Sequence, residues 1–341
     1  MNYLLDLFTS PELYPMRVDF RKHAMTFVRM SGETYRASVF LDGRTQHLGS
    51  DSYEIRMDDL LLAAGTTPEQ PRSIHYILHP TFCCSTLLAR YFELLPNCFV
   101  LKEPVLLTQL ALTRRSLLRW NDAFALCARL LARAYDPQQF VIIKPHEPCN
   151  VLGSLLLEHN DRATITFLTT PLRDFLLSIL KAEDRRAWVQ RRLVKARESA
   201  LNVPSLANAD ISSLHDAEAA AYLWLVNRYL CQKLSSGPYR SRVLVLDGGR
   251  IADFPKDSLR AVASLAGLPL SEQQLQWMID HPSMRKYSKD LSRPYDANSR
   301  HQELAELENS WRREADAGAR FVECCCPEAF AECWFAEATI S

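Results

Sequence analysis

The distribution of apolar residues along the chain changes near residue 70. Before it lie three short runs in which apolar and polar positions alternate: AMTFVRM (24–30), TYRASVFLD (34–42) and SYEIRM (52–57). Turn-forming pairs such as Ser31-Gly32 and Asp42-Gly43 separate these runs, as is typical of β-hairpins. The pattern predicts a small N-terminal β-rich unit, and residues 63–73 are predicted to form a linker after it.

From residue 73 onward, unbroken apolar runs alternate with amphipathic segments. Segments such as STLLARYFELL and AEAAAYLWLVNRYLCQKL have the apolar spacing of helices. The unbroken runs are typical of parallel strands that are buried on both faces. The predicted strands are SIHYILH (73–79), CFVLKE (98–103), QFVIIKP (139–145), TITFLTT (164–170) and RVLVLDG (242–248).

This alternation predicts an α/β fold with a doubly wound parallel sheet flanked by helices. We therefore expect a β-rich subdomain with its linker over residues 1–70 and one α/β domain over residues 71–341. In doubly wound folds the ligand binds at the carboxyl ends of the strands. Residues that follow the predicted strands are therefore the first candidates for a functional site.

Charge and hydropathy narrow the classes of partner. The 341 residues contain 40 Lys and Arg against 40 Asp and Glu, which argues against a protein that coats nucleic acid through bulk positive charge. No apolar run approaches the roughly 18 residues of a membrane span. The N-terminal stretch has no basic residue before Arg17, unlike a signal peptide. We expect a cytoplasmic protein with neither a nucleic-acid nor a membrane partner.

The sequence has ten cysteines, most of them in apolar segments. In a reducing compartment such residues usually behave as small buried hydrophobic groups. The exception is the cluster of Cys324, Cys325, Cys326 and Cys333. Because zinc sites usually show paired C-x2-C spacing, buried or loop thiols are favoured here over a metal site.

The stretch HPTFCCSTLLAR (79–90) connects the first predicted strand of the α/β domain to a helix. Small side chains, two hydroxyls at Ser85 and Thr86, and the N–H groups of a helix N-terminus suit an anion such as phosphate. As a Walker loop, G-x-x-x-x-G-K-[ST], the match is poor, since both glycines and the lysine are missing. A structural alternative is equally open, in which Ser85 and Thr86 only cap the helix.

Four segments resemble motifs of the sulfotransferase superfamily, in the family's order, over about residues 73–295. TFCCSTLLAR resembles the 5′-phosphosulfate loop, usually P-[RK]-S-G-T-T-x-L, with Phe82 at the basic position and Cys84 at the glycine. FVLKEP (99–104) resembles the strand-end Lys-Glu of several members. LTTPLRDFLLSILK (168–181) resembles the 3′-phosphate element, and residues 242–270 resemble the late strand and helix.

This resemblance implies a divergent bacterial-type member with a P-loop fold. The donor would be phosphoadenosine phosphosulfate, and the sulfuryl group would pass to a hydroxyl or amine of a small-molecule or peptide acceptor, with no metal required. The resemblance implies that Cys83, Cys84, Ser85 and Thr86 hold the 5′-phosphate, and that Glu103 is the general base.

The resemblance also implies that Arg173 and Ser178 bind the 3′-phosphate. Arg173 lies five residues before Ser178, whereas the family arginine usually lies eight before, where this chain has Thr170. Lys286 and Lys289, in the basic segment MRKYSKDLSRP (284–294), correspond in position to the loop that covers the nucleotide. A solvated charged loop is the alternative there.

The loop has lost its basic residue at Phe82, so the positive charge that sulfuryl transfer needs must come from elsewhere. Lys144, at the end of one strand, and Lys102, beside Glu103, are the candidates, because burying an unpaired ammonium is costly. A simple ion pair of Lys102 with Glu103 is the structural alternative. The segment 182–215, which is strongly basic over residues 184–199, is either a solvated helix face or a lid or substrate-facing helix over the site.

Two other functions remain open from the sequence. One is an ATP-dependent P-loop kinase or nucleotide transferase in which Thr86 contacts magnesium. The other is a catalytically degenerate P-loop binding protein.

Overall fold

The computed structural model describes residues 7–43, 52–68, 72–113, 117–201, 203–287, 290–294 and 296–326. The strands are β1 (Leu13–Asp19), β2 (Ala24–Arg29), β3 (Ser52–Arg56), β4 (Ile74–Leu78), β5 (Cys98–Lys102), β6 (Phe140–Lys144), β7 (Thr164–Thr169), β8 (Val243–Asp247), β9 (Lys286–Tyr287) and β10 (Asp290–Pro294). The helices are α1 (Gly32–Ala37), α2 (Met57–Thr66), α3 (Ser85–Glu93), α4 (Val105–Leu112), α5 (Trp120–Leu131), α6 (Gly153–His159), α7 (Leu172–Leu180), α8 (Glu183–Ser199), α9 (Pro204–Ala207), α10 (Asp216–Ser235), α11 (Gly249–Asp253), α12 (Pro255–Ala266), α13 (Glu272–Asp280) and α14 (Ala297–Cys325).

The central sheet has five strands in the order β5-β6-β4-β7-β8. Strands β4 and β5 each run parallel to β6, and the register places Lys102 opposite Lys144 at the carboxyl ends. Every residue of β4 and β5 is buried, as the unbroken apolar runs predict. The mixed α/β class and its five predicted strands are confirmed.

A separate antiparallel sheet, β1-β2-β3, confirms the predicted N-terminal β structure. The strand predicted over 34–42 is wrong, because residues 32–37 form helix α1. The Ser31 hydroxyl accepts a hydrogen bond from the Thr34 N–H at 3.1 Å and caps this helix, which starts it locally against the alternating pattern. The predicted linker also begins too early, since α2 continues to Thr66.

The chain divides into two compact units. Unit 1 comprises Met1–Leu78, Thr86–Thr166 and Ala263–Leu270. A buried arginine on the chain just after α5, Arg133, ties its N-terminal segment down by donating to the carbonyl oxygens of Leu7, Ser10 and Leu13. Burial lowers the pKa of Arg133 to about 10.

Unit 2 comprises His79–Ser85, Phe167–Val262 and Ser271–Ser341. Its core is formed by the apolar faces of α7, α8, α10 and α14. The backbones of α10 and α14 approach closely at Gly318, where an added Cβ would lie 2.9 Å from the Ala217 carbonyl oxygen. Trp224 anchors α10 by donating to the Thr170 carbonyl at 2.8 Å.

The basic stretch 184–199 lies in helix α8, which buries Val189, Leu193 and Ala196 against the unit 2 core. Within the described ranges, every helix is too short or too polar to cross a membrane.

Candidate functional site

In unit 2, the loop of residues 79–85 has a backbone that non-glycine residues rarely adopt. Thr81, Phe82 and Cys84 have left-handed conformations, with φ of 79°, 51° and 59°. Each such residue costs roughly 1–3 kcal/mol, and such strain clusters at ligand-binding segments. Left-handed residues in a tight loop turn successive N–H groups into a concave anion site. Cys84 stands where the family motif has glycine, the residue that adopts positive φ freely.

Three buried threonine hydroxyls, one of them in the loop, have no hydrogen-bond partner among the described residues. Thr81 and Thr170, both in unit 2, are 7% and 4% exposed, and neither hydroxyl oxygen has a hydrogen-bond partner among the described residues. In unit 1, the hydroxyl of Thr86 on helix α3 is likewise buried and unpaired within the described part of the chain. A buried hydroxyl without a partner costs roughly 1–3 kcal/mol, so within unit 2 the Thr81 hydroxyl fits a ligand with acceptor oxygens, such as phosphate.

The loop lies against the backbone that follows β8. A Cβ added to Gly248 would lie 2.1 Å from the Cys83 carbonyl oxygen, so the two backbones are in direct contact. The Gly248 N–H also donates to the Thr169 carbonyl at 2.9 Å. Gly248 has an ordinary negative φ, so glycine is required by this close approach and not by its conformation.

Arg185 is a contact of the loop that the sequence reasoning missed. Its guanidinium carbon lies 4.1 Å from the centre of the Phe82 ring, and its Nη1 donates to the Ser178 carbonyl at 2.6 Å. Trp188 packs edge-on against the same ring, with the centres 6.3 Å apart. The sequence carries one indication of this contact: Arg185 and Trp188 are three residues apart, so on a helix they share one face.

Arg173, predicted to bind the 3′-phosphate, is engaged elsewhere in unit 2. Its Nε and Nη2 donate to the two carboxylate oxygens of Glu308 at 2.7 and 2.6 Å, and its Nη1 donates to Asp316 at 2.5 Å. Hydrogen bonding to Glu308, with Asp316, raises the pKa of Arg173. These bonds tie α7 to α14. Ser178 is half-buried on α7, and its 3′-phosphate role stays a prediction.

In unit 1, two buried lysines end neighbouring strands. Lys144 is 1% exposed, and its ammonium donates to the Glu103 carboxylate and lies 5.3 Å from the Phe40 ring centre. The backbone of Glu103 has a left-handed conformation, with φ of 56°, and its N–H donates to the Lys144 carbonyl at 2.6 Å. The predicted base and the first predicted cation therefore form one buried ion pair.

Lys102 pairs with a carboxylate on the preceding helix. Its ammonium lies 2.5 Å from Glu93 Oε1 and 3.4 Å from the Arg36 carbonyl oxygen. The alternative that Lys102 forms an ion pair with Glu103 is wrong, because Lys102 pairs with Glu93 in the structure. Burial raises the pKa of Glu93 and lowers that of Lys102, since desolvation opposes both charged forms.

The remaining predicted residues are two lysines near β9 and the cysteine cluster near the C-terminus. Lys286 is exposed on β9, which pairs with β10, and Lys289 lies outside the described residues. Cys324, Cys325 and Cys326 are free thiols at the end of α14, and Cys333 lies outside the described residues. In the part of the chain that the structure describes, no group of three or more His, Cys, Asp or Glu residues is placed to hold a metal ion.

Comparison with known proteins finds no matching protein-family model and no matching curated protein. Solved structures are similar as well, among them the following three. A sulfotransferase from Mycobacterium avium is 11% identical, with a TM-score of 0.38 over 71% of this chain and 77% of that one. The sulfotransferase domain from the curacin biosynthetic pathway is 12% identical, with a TM-score of 0.39 over 74% and 98%.

A sulfotransferase from Alicyclobacillus acidocaldarius is 15% identical, with a TM-score of 0.37 over 73% of this chain and 99% of that one.

Proposed function

We propose that the chain is a sulfotransferase-like transferase that uses phosphoadenosine phosphosulfate to sulfate a hydroxyl or amine of its acceptor. The observation that carries the proposal is the left-handed loop of residues 79–85 with the unpaired, buried hydroxyl of Thr81. A strained loop and an unpaired hydroxyl are both costly without a ligand, and a phosphate group would reduce both costs. The donor, when bound, supplies a sulfuryl group joined to its 5′-phosphate.

The loop would hold the 5′-phosphate through the backbone N–H groups of Cys83, Cys84, Ser85 and Thr86, with the Thr86 hydroxyl as an added donor. The 3′-phosphate would be bound by Ser178 and Arg173. In that role Arg173 exchanges its Glu308 partner for phosphate, which is also an acceptor of bidentate guanidinium bonds. Lys286 and Lys289 would cover the nucleotide.

Glu103 would accept the proton of the acceptor as the new bond to sulfur forms and the bond between sulfur and the 5′-phosphate oxygen breaks. Lys144 would orient this carboxylate through their buried ion pair. It would reach the transferring group only by leaving Glu103, so its first role is to position the base. Lys102, held by Glu93, would contribute positive charge to the same strand ends.

Isothermal titration calorimetry with adenosine 3′,5′-bisphosphate tests the donor assignment. We expect binding without magnesium, and weaker binding by Thr86→Val and by Arg173→Ala. Thr113→Val, which removes a hydroxyl at the end of α4, is the matched control and should bind like the unmodified chain. Magnesium-dependent binding of ATP in place of the bisphosphate would support a kinase. Absence of both would support a degenerate scaffold.

A further inference from the structure

The loop of residues 79–85 contains neither lysine nor arginine, although an anion held there needs positive charge or strong donors. In unit 2 a guanidinium lies directly on this loop. Arg185, from helix α8, is stacked over Phe82 at 4.1 Å. Phe82 occupies the position at which the sulfotransferase loop motif carries a basic residue. The Arg185 guanidinium therefore places a positive charge over the position where the loop sequence lacks one.

The charge of Arg185 has no counter-ion in the part of the chain that the structure describes. Its contacts there are the Phe82 ring and the Ser178 carbonyl. Two neighbouring half-buried arginines of unit 2 are paired with carboxylates, since Arg186 meets Asp216 and Arg173 meets Glu308. Burial removes part of the hydration of a guanidinium, and without a carboxylate nearby this loss is not offset. An anionic ligand would offset it.

The surroundings also fix the position of this guanidinium. The Phe82 ring lies beneath it, Trp188 packs edge-on against that ring at 89°, and the Ser178 carbonyl accepts one of its five N–H groups. The buried, unpaired hydroxyl of Thr81 belongs to the residue next to Phe82. A stacked guanidinium with unused N–H groups, on a loop that also carries an unpaired hydroxyl, is a preorganised set of donors for phosphate oxygens.

We propose that Arg185 binds the 5′-phosphate of the nucleotide and replaces the basic residue that the loop lacks at Phe82. The identity of the nucleotide rests on the proposed function, whereas the anion site itself rests on the contacts of Arg185. Arg185 is thus a phosphate-binding residue on a helix that follows the 3′-phosphate element in sequence.

Calorimetry with adenosine 3′,5′-bisphosphate and with adenosine 3′-phosphate tests this assignment. Arg185→Gln should weaken binding of the bisphosphate roughly 10- to 100-fold, as expected for one charged hydrogen-bonding partner, and should leave the 3′-phosphate ligand within about twofold. Arg191→Gln removes an exposed arginine from the same helix and is the charge-matched control. Equal affinities of the Arg185→Gln and Arg191→Gln variants for the bisphosphate would overturn the assignment.

A compensating variant keeps the test independent of folding defects. Phe82→Lys introduced into the Arg185→Gln chain returns a cation to the loop, and it should recover at least tenfold of the lost affinity. No recovery in a folded double variant would also count against the assignment.

Inorganic pyrophosphate separates this inference from the proposed function. If pyrophosphate binds in an Arg185-dependent way while the bisphosphate does not bind, the anion site stands and the donor assignment fails. If the bisphosphate binds equally well with and without Arg185, the proposed function stands and the role of Arg185 falls. If neither ligand binds, both are refuted.

Discussion

Replacing Lys144 by methionine is expected to destabilise the protein strongly, because it removes the ammonium that neutralises the buried Glu103 carboxylate. The two side chains are 1% and 9% exposed. Methionine nearly matches the length and volume of lysine, so the change removes mainly the charge. Breaking a buried ion pair from one side costs about 3–5 kcal/mol, a large share of the roughly 5–15 kcal/mol that stabilises a folded protein.

The measurement is the free energy of unfolding from urea denaturation followed by circular dichroism. Lys144→Met should lose about 3–5 kcal/mol, and Lys144→Met combined with Glu103→Gln should regain about 1–3 kcal/mol of it, because the negative charge that Lys144 neutralised is then also removed. Lys22→Met is the control, since Lys22 and Glu54 form an exposed pair at 3.0 Å and such pairs contribute below about 1 kcal/mol.

Two results would refute this reasoning. The first is a loss for Lys144→Met as small as that for Lys22→Met. The second is a double variant no more stable than Lys144→Met alone, which would mean that the stranded carboxylate is not the source of the cost.

Three further predictions concern other contacts. Gly248→Ala should weaken bisphosphate binding at least tenfold, because the added methyl group would push the Cys83 carbonyl and distort the loop. Gly65→Ala is the control, since its added methyl group meets open space and should leave binding unchanged in calorimetry. Equal binding by the two variants would contradict this reasoning. Burial lowers the pKa of His75 to about 3, below its unfolded value near 6.5, so acid protonates the unfolded chain first. Between pH 7 and pH 5 the wild type should therefore lose about 2 kcal/mol more unfolding free energy than His75→Gln, and parallel pH profiles would disprove this. Arg133→Met should lower the urea midpoint and expose the N-terminal segment to protease, because the carbonyls of three residues lose a buried donor; an unchanged cleavage pattern would count against it.

The sequence predicts the central sheet well because its strands need no special environment to be recognised. A run such as FVIIK is apolar enough to favour burial, and its length suits a strand better than a helix. By contrast, TYRASVFLD alternates like a strand, yet the Ser31 cap starts a helix there. A local hydrogen bond of one side chain outweighs a weak pattern over several residues.

The candidate site divides in the same way. The loop itself is recognisable, since it joins a buried strand to an amphipathic helix. The partners of its neighbours are not, because the Glu93 that holds Lys102 and the Phe82 ring that holds Arg185 are brought close only by folding. The roles proposed for Glu103, Lys144, Arg173 and the loop residues remain predictions, as does the domain boundary near residue 70.

The interleaving of the two units in sequence has a consequence for how the loop is made. Residues 79–85 belong to unit 2, yet the segments that flank them, ending at Leu78 and starting at Thr86, belong to unit 1. The Gly248 backbone that supports Cys83 is synthesised long after the loop. A nascent or truncated chain that ends before β8 therefore lacks this support, so the loop is expected to mature late, through a contact of high sequence separation. No contiguous fragment consists of unit 2 alone, and a truncation that ends before residue 248 would remove the support of the loop together with the deleted segment.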